Sequence, residues 1–385
     1  MNMLKKINAW LHLWLGLASG IVVIIVGFTG CILVFESELE ALTMKHLHAP
    51  NPDNKAMLPP STLWKSVKQA LPEKKIHSVW YHGKDQTAHF SLDSDSLVYV
   101  NPYTAEIVAM VDHEDFFHFI LDGHTSLWIE GKLGTGIVSY ATLIFFILLI
   151  TGVILWWPKK WTKSEREKAL TVKWRAKFKR VNYDLHNVLG FYSLTIALIL
   201  TITGLIMGFQ WFNKSFYWMV SGGGAAPRYE RAFSDTTQNL PLAGLANVDA
   251  AWRKGVTEIG VLNKEAIIVS FPDKASEPID LCTDMHNGSW RYVYLDQNTL
   301  EELPASQPQI SELGMAQWLR RTNYAMHVGA VGGLTTKILF FIASLICTSL
   351  PITGFYIWWG KKAKTKKRSK TSSTAPRFSV SAGKA

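Results

Sequence analysis

Four stretches of this chain, 13–35, 137–157, 188–212 and 338–359, are apolar and free of charge. Each is about 20 residues or slightly more, enough for a helix to cross a hydrocarbon core of roughly 30 Å. Such runs must be helical in lipid, where an unpaired backbone group finds no partner. Between them the pattern changes. Pro59 and Pro60 precede Ser61, which is expected to cap a helix running to about Leu71, with Pro72 closing it. Period-two alternation at 76–81, 87–92 and 97–100 predicts three strands, turned at Gly83-Lys84-Asp85 and Asp93-Ser94-Asp95. The segment 213–337 follows the same order, with a helix near 248–254 and strands at 266–271, 279–283 and 291–295. A unit of about 60 residues buries little apolar surface, so each is expected to lean on a neighbour.

The repetition extends to single residues. Asn8, Leu11, His12, Gly16, Ser19, Thr29 and Gly30 return without a gap as Asn182, Leu185, His186, Gly190, Ser193, Thr203 and Gly204, a constant offset of 174. Thr151-Gly152 ahead of Trp156-Trp157 matches Thr353-Gly354 ahead of Trp358-Trp359. The predicted fold class is an integral membrane α-helical protein: four transmembrane helices as a duplicated parallel repeat, related by an axis along the membrane normal, with two small α+β domains outside. Expected boundaries are 1–35, 133–157, 185–212 and 334–359 for the transmembrane helices. The outer domains, each with a membrane-surface helix, are expected at 36–132 and 213–333, and a basic loop and basic tail at 158–184 and 360–385.

Charge sets the orientation. The chain carries 40 Lys and Arg against 30 Asp and Glu, a formal net charge of +10. The N-terminus, the loop 158–183 and the tail after Trp359 hold 21 of those basic residues, opposed only by Glu165 and Glu167. These segments are expected in the cytoplasm by the positive-inside bias. The positive balance is then a topology signal and points to no nucleic-acid partner. Lys5 and Lys6 stand before the first apolar run as in a signal peptide, but no small-residue cleavage site follows, so the run is read as retained. Trp156-Trp157 and Trp358-Trp359 read as an interfacial belt. Cys31 and Cys347 fall in spans and Cys282 stands alone outside, which leaves no disulfide framework and no thiolate metal site.

Of twelve histidines, His46, His48, His77, His82, His89, His113 and His286 lie in outer polar segments and read as solvated or structural. Repeat pairing singles out four others. His12 and His186 are equivalent positions at the cytoplasmic mouths of the two outgoing helices, so the pseudo-axis is expected to bring them face to face. Two neutral imidazoles between apolar walls suit axial ligation of haem iron. His124 and His327 form an outer pair for a second haem, with His118 as the alternative to His124. His124 lies 33 residues before Trp157, about 50 Å as one straight helix and too long for a bilayer. Gly134-Thr135-Gly136 and Gly332-Gly333 are therefore expected to break the helices, leaving 115–128 and 311–326 as amphipathic stretches on the outer surface. Arg320 and Arg321 suit haem propionates as bidentate partners, or lipid phosphates. The Thr-Gly pairs read as points of close approach, for helix packing or a flat ligand.

Leu185-His186-Asn187-Val188-Leu189-Gly190, the run from His124 through Trp157, and His327-Val328-Gly329 with Gly332-Gly333 resemble the PepSY-associated transmembrane proteins. That family, often described as iron-regulated membrane proteins, includes siderophore-iron reductases of bacterial inner membranes. The resemblance covers nearly the whole chain. It implies two haem b groups, held by position by His12 and His186 inside and by His124 and His327 outside. It also implies PepSY-like folds in the periplasm and reduction of ferric siderophore there. Gly123 and Met326 depart from the family, where Leu more often precedes the outer histidines. The expected activity is that of an oxidoreductase passing single electrons from a cytoplasmic electron donor or quinol across the lipid bilayer. No Gly-x-Gly-x-x-Gly opens a cytoplasmic helix after a strand, so the reductant is external. Two other readings stand beside it. One is a membrane sensor or peptidase-regulating scaffold with structural histidines. The other is a metal or siderophore permease, disfavoured because no span shows an intramembrane carboxylate or a broken centre.

Overall fold

The computed structural model describes residues 3–51, 53–93, 96–112, 116–228, 230–237, 244–260, 266–283 and 290–372. His113, His286, residues 94–95 of the second predicted turn and the tail 373–385 lie outside the described residues. In chain order the elements are α1 (Met3–Leu33), α2 (Glu36–Thr43), α3 (Pro60–Ala70), β1 (Ile76–Tyr81), β2 (Ala88–Leu92), β3 (Ser96–Val100), β4 (Ile107–Asp112), α4 (Phe116–Ser126), α5 (Lys132–Trp156), α6 (Lys163–Leu170) and α7 (Phe178–Asp184). They continue as α8 (Gly190–Gly208), α9 (Gln210–Val220), α10 (Leu245–Lys254), β5 (Ile267–Ser270), β6 (Ile279–Thr283), β7 (Tyr292–Leu295), α11 (Met315–Arg321), α12 (Asn323–His327) and α13 (Gly333–Ser372).

Four helical runs, Met3–Leu33, Lys132–Trp156, Phe178–Gly208 and Ala330–Gly360, are long and apolar enough to cross a membrane. The chain is a multi-pass membrane protein. The third run joins α7 to α8 through a π turn over Leu185–Leu189 and stops where Phe209 turns extended, short of the apolar stretch that continues to 212. α1 packs on α5 and α13, and α8 packs on the same two helices. Small residues permit the α1–α13 crossing: a Cβ at Gly20 would lie 3.2 Å from Pro351, and one at Gly27 would collide with Thr348.

The break before α5 differs from expectation. Leu127 and Trp128 both take positive φ, 55° and 57°, and Gly131 takes 73°, while Gly134 and Gly136 sit inside α5. Two non-glycine residues accept this conformation because Trp128 is held from outside it. Its Nε1 donates to the Phe119 carbonyl at 2.8 Å and its ring stacks on Phe119 at 5.2 Å. Gly134 serves a different end, since a Cβ there would collide with the Ser126 and Ile129 carbonyls that fold over the start of α5. The second break sits where expected, with Gly329 and Gly333 at φ of 72° and 66°.

The strands form a single seven-stranded sheet in the order β4-β3-β2-β1-β5-β6-β7. The two small units, each expected to lean on a neighbour, lean on one another, through antiparallel pairing of β1 with β5 from Ser78↔Ser270 to Tyr81↔Ile267. Each of those strands would otherwise present an open row of backbone donors and acceptors, and pairing them removes both edges. β4, which the alternation analysis did not include, extends the sheet beyond β3. The buried core lies between one sheet face and helices α3 and α10, with Leu63, Val67, Phe90, Val248 and Leu281 at its centre. Of the outer histidines, His89 is buried, stacked on Trp80 at 5.1 Å and 2.8 Å from His82 Nε2 through its Nδ1.

Ser61 is not the N-cap of α3. The helix begins at Pro60, where a missing N–H leaves nothing unsatisfied. Ser61 instead donates its N–H and its Oγ to the Asp249 carboxylate of α10, at 2.8 and 2.6 Å. One helix thus caps the other, and the negative charge also suits the positive end of the α3 dipole. Asp249→Ala is expected to cost about 1–2 kcal/mol, the usual worth of a lost cap, seen as a lower midpoint in thermal unfolding of the full chain.

Asp280, on β6, carries a buried Oδ1 without a hydrogen-bond partner. Burial, and secondarily the Glu277 carboxylate, push its pKa up from 3.8 to about 6. Between those values the folded chain holds a proton that the unfolded chain has released, so stability falls as pH rises through that window. Asp280→Asn is expected to flatten this slope and raise the unfolding midpoint at pH 7, measured by thermal unfolding across pH 4 to 7.

Candidate functional site

α1 and α8 enter the bundle with the same residues, and each lays a histidine on the helix that returns beside it. His12 Nδ1 lies 2.9 Å from Thr151 Oγ1 of α5. One turn earlier, Asn8 donates Nδ2 to the Thr151 carbonyl at 3.0 Å. The imidazole Cε1 faces Gly152, where a Cβ would sit 3.3 Å away. The same contact recurs between α8 and α13. His186 Nδ1 is 2.9 Å from Thr353 Oγ1, Asn182 Nδ2 donates to the Thr353 carbonyl at 3.0 Å, and a Cβ at Gly354 would lie 3.3 Å from the His186 ring. The two imidazoles meet with ring centres 6.4 Å apart and planes at 89°.

The opposite end of the bundle, beside the sheet-bearing segments, carries a second pair. His327 Nδ1 is 2.9 Å from Thr203 Oγ1, Asn323 donates Nδ2 to the Thr203 carbonyl at 3.2 Å, and a Cβ at Gly204 would lie 3.5 Å from the ring. His124 Nδ1 is 2.9 Å from the Val26 carbonyl and 3.3 Å from Thr29 Oγ1, with a Cβ at Gly30 only 2.9 Å from its Cε1. Here buried Ile120 stands one turn before the histidine, where the other three contacts have asparagine. The ring centres of His124 and His327 are 6.1 Å apart, with planes at 61°.

The geometry thus brings together His12 with His186 and His124 with His327. His118 stays outside, partly exposed, its Nε2 3.9 Å from Asp122 Oδ2 on the same helix. The two arginines are occupied in the second outer segment. Arg321 is buried, donates to the Pro308 carbonyl at 2.8 Å and lies over the Trp290 ring at 5.9 Å. Arg320 donates to the Pro227 carbonyl at 3.0 Å, and both line a cleft of about 230 Å³ with Arg228 and Gln307. Sequence reasoning had taken the Thr-Gly pairs as close-approach points. The glycine does admit a flat group, the imidazole itself, while the threonine hydroxyl meets its Nδ1 and, in three of the four contacts, an asparagine amide ties the histidine's helix to the threonine carbonyl. The signal for this was present, because Asn8, Thr29 and Gly30 belong to the same repeated set as His12.

The donor set fits a haem. The hydrogen bonds of all four imidazoles run through Nδ1, so Nε2 is the nitrogen each could offer to a metal. With ring centres 6.4 and 6.1 Å apart, each pair brings two imidazoles close enough that both could hold one metal centre between them. Between the sites the bundle is packed with Leu149, Ala197 and Cys347, flanked by Phe145, Leu194 and Leu198.

A helical bundle with an opposed imidazole pair at each end and a sheet on its long connections defines a membrane protein with two candidate haem centres. Residues 9–361 match the family described as PepSY-associated TM region, and the chain belongs to that family. Comparison with curated proteins gives no match.

Proposed function

We propose that this protein is a di-haem reductase of the bacterial inner membrane, carrying electrons from a cytoplasmic donor or quinol to ferric siderophore in the periplasm. The observation that carries the reading is the pair of opposed-histidine sites, 6.4 and 6.1 Å between ring centres, at the two ends of one bundle. His12 and His186 would hold one haem b, and His124 and His327 the other. Haem, when bound, supplies one-electron chemistry at a potential set by its axial ligands and its burial. The chain's contribution is placement. From His12 to Thr29, where the second site begins, α1 rises about 26 Å, most of the hydrocarbon thickness. Duplicated halves related by an axis along the membrane normal account for each site drawing one histidine from each half.

Orientation follows from charge: the basic termini and loop lie in the cytoplasm and the sheet lies outside. The acidic balance of the outer segments favours a cationic ferric complex over an anionic one. Iron leaves such a complex on reduction because Fe(II) binds hard oxygen donors less strongly than Fe(III). Arg320 and Arg321, tied to Pro227 and Pro308, serve the packing of the second outer segment in this reading. The purified protein is expected to be red, with a low-spin bis-histidine absorption spectrum and two haems per chain by quantification. A colourless protein would leave the sensor or scaffold reading in its place.

A further inference from the structure

Each of the four histidines rests on a threonine whose hydroxyl has a backbone carbonyl of its own helix to donate to. Thr151 Oγ1 donates to the Ile147 carbonyl at 2.9 Å, Thr353 to Ser349 at 3.1 Å, Thr29 to Ile25 at 2.8 Å and Thr203 to Ile199 at 2.7 Å. A hydroxyl has one proton to give, so the oxygen it turns toward the imidazole can only accept. We infer that these threonines are positioning residues that set the histidine tautomer: accepting from Nδ1–H, they leave Nε2 without a proton. The inference rests on the haem reading only for what Nε2 then binds. An imidazole held this way is also the more basic ligand, since its Nδ1–H is engaged by an acceptor.

The four positions are not equivalent. His186 Nδ1 also meets the Leu350 carbonyl at 3.1 Å, and His124 Nδ1 meets the Val26 carbonyl at 2.9 Å. A carbonyl only accepts, so it enforces the same tautomer without help from the hydroxyl. His12 and His327 have the threonine as their one contact in good geometry, with weaker contacts to the Leu148 and Leu200 carbonyls. Each pair therefore joins one histidine with a well-formed backbone contact to one whose backbone contact is poorer. Thr151 and Thr203 carry more of the restraint at their sites than Thr353 and Thr29 do.

The test is solid-state NMR of the full chain labelled with 15N-histidine, produced in haem-deficient cells and, separately, with haem supplied. The Nδ1–H and Nε2–H forms of imidazole have different 15N shifts, and His12 is assigned by difference from His12→Ala. His12 is expected in the Nδ1–H form, displaced toward Nε2–H by Thr151→Val and retained by Thr151→Ser, which keeps the hydroxyl. Thr353→Val is expected to leave His186 unchanged. With haem bound, Thr151→Val is expected to raise the midpoint potential of one haem and Thr151→Ser to restore it. The inference is overturned if Thr151→Val leaves the His12 tautomer in place, or if Thr353→Val moves His186 as far. Expected tautomers in a protein that takes up no haem would overturn the haem reading while this inference stands.

Discussion

His186→Ala is expected to yield a protein with one haem in place of two. In the di-haem reading the substitution removes one of two ligands, and the other, His12, keeps its contact with Thr151 while Asn8 ties its helix to the Thr151 carbonyl. Asn182 still ties the start of the third span to the Thr353 carbonyl, so the helix keeps its seat on α13 and the fold survives. The second site lies about 26 Å along the helix, far beyond the range at which substitutions couple. His327→Ala is expected to remove the other haem and spare the first, and the double variant to be colourless. Delivery of electrons to an external ferric complex should fall to background in each single variant, because the proposed path runs through both sites in series. Added imidazole is expected to restore the low-spin band of His186→Ala by filling the space the side chain left. Haem quantification and absorption spectra read all of these outcomes. Retention of both haems in His186→Ala would remove that residue from the ligand set, and loss of both would mean that the sites are not independent.

Gly30→Ala is expected to damage the outer site more than alanine at any of the other three glycines facing a histidine. A methyl there would sit 2.9 Å from His124 Cε1 and 3.3 Å from its Nδ1, and the ring can retreat only by stretching its bond to the Val26 carbonyl. Overpacking of that kind costs about 1–3 kcal/mol. Alanine in place of a helical glycine gains about 1 kcal/mol in propensity, so overpacking prevails at Gly30. At Gly204 the methyl would meet the His327 ring at 3.5 Å, an ordinary contact, and Gly204→Ala is expected to be neutral or stabilising. Gly152→Ala and Gly354→Ala, at 3.3 Å, should fall between. The readout is the low-spin absorption of the affected site together with the thermal midpoint. An outcome in which all four alanine variants behave alike would show that the glycines serve helix packing and not the imidazoles.

Much of this architecture is written locally in the chain. Uninterrupted apolar runs declare membrane helices because lipid leaves an unpaired backbone group no other solution. The offset of 174 that links His12 to His186 also links Asn8 to Asn182 and Thr29 to Thr203, so the first histidine pair was legible with its partners. Strand positions followed from alternation in six of seven cases. β4 escaped because its exposed positions, Val108 and Met110, carry apolar side chains, so no polar residue marks the alternation that its burial follows.

Other features depend on contacts between residues far apart in the chain, which no local pattern records. The pairing of β1 with β5 joins segments nearly 190 residues apart, and Asp249 caps a helix that begins at Pro60. The break at Leu127 and Trp128 violates local preference and is held by a tryptophan folded back on Phe119. Which of His118 and His124 stands beside His327 was likewise decided by packing, since the turn of α4 that faces α1 carries His124 onto Val26 and leaves His118 beside Asp122. The sequence by itself determined where most of the elements form and which residues recur with His12 at an offset of 174, because periodicity and spacing are properties of the linear chain. Only the tertiary structure decided which ring nitrogen is engaged, what holds it and how far apart the rings stand, because those depend on side chains from separate helices meeting to within an ångström.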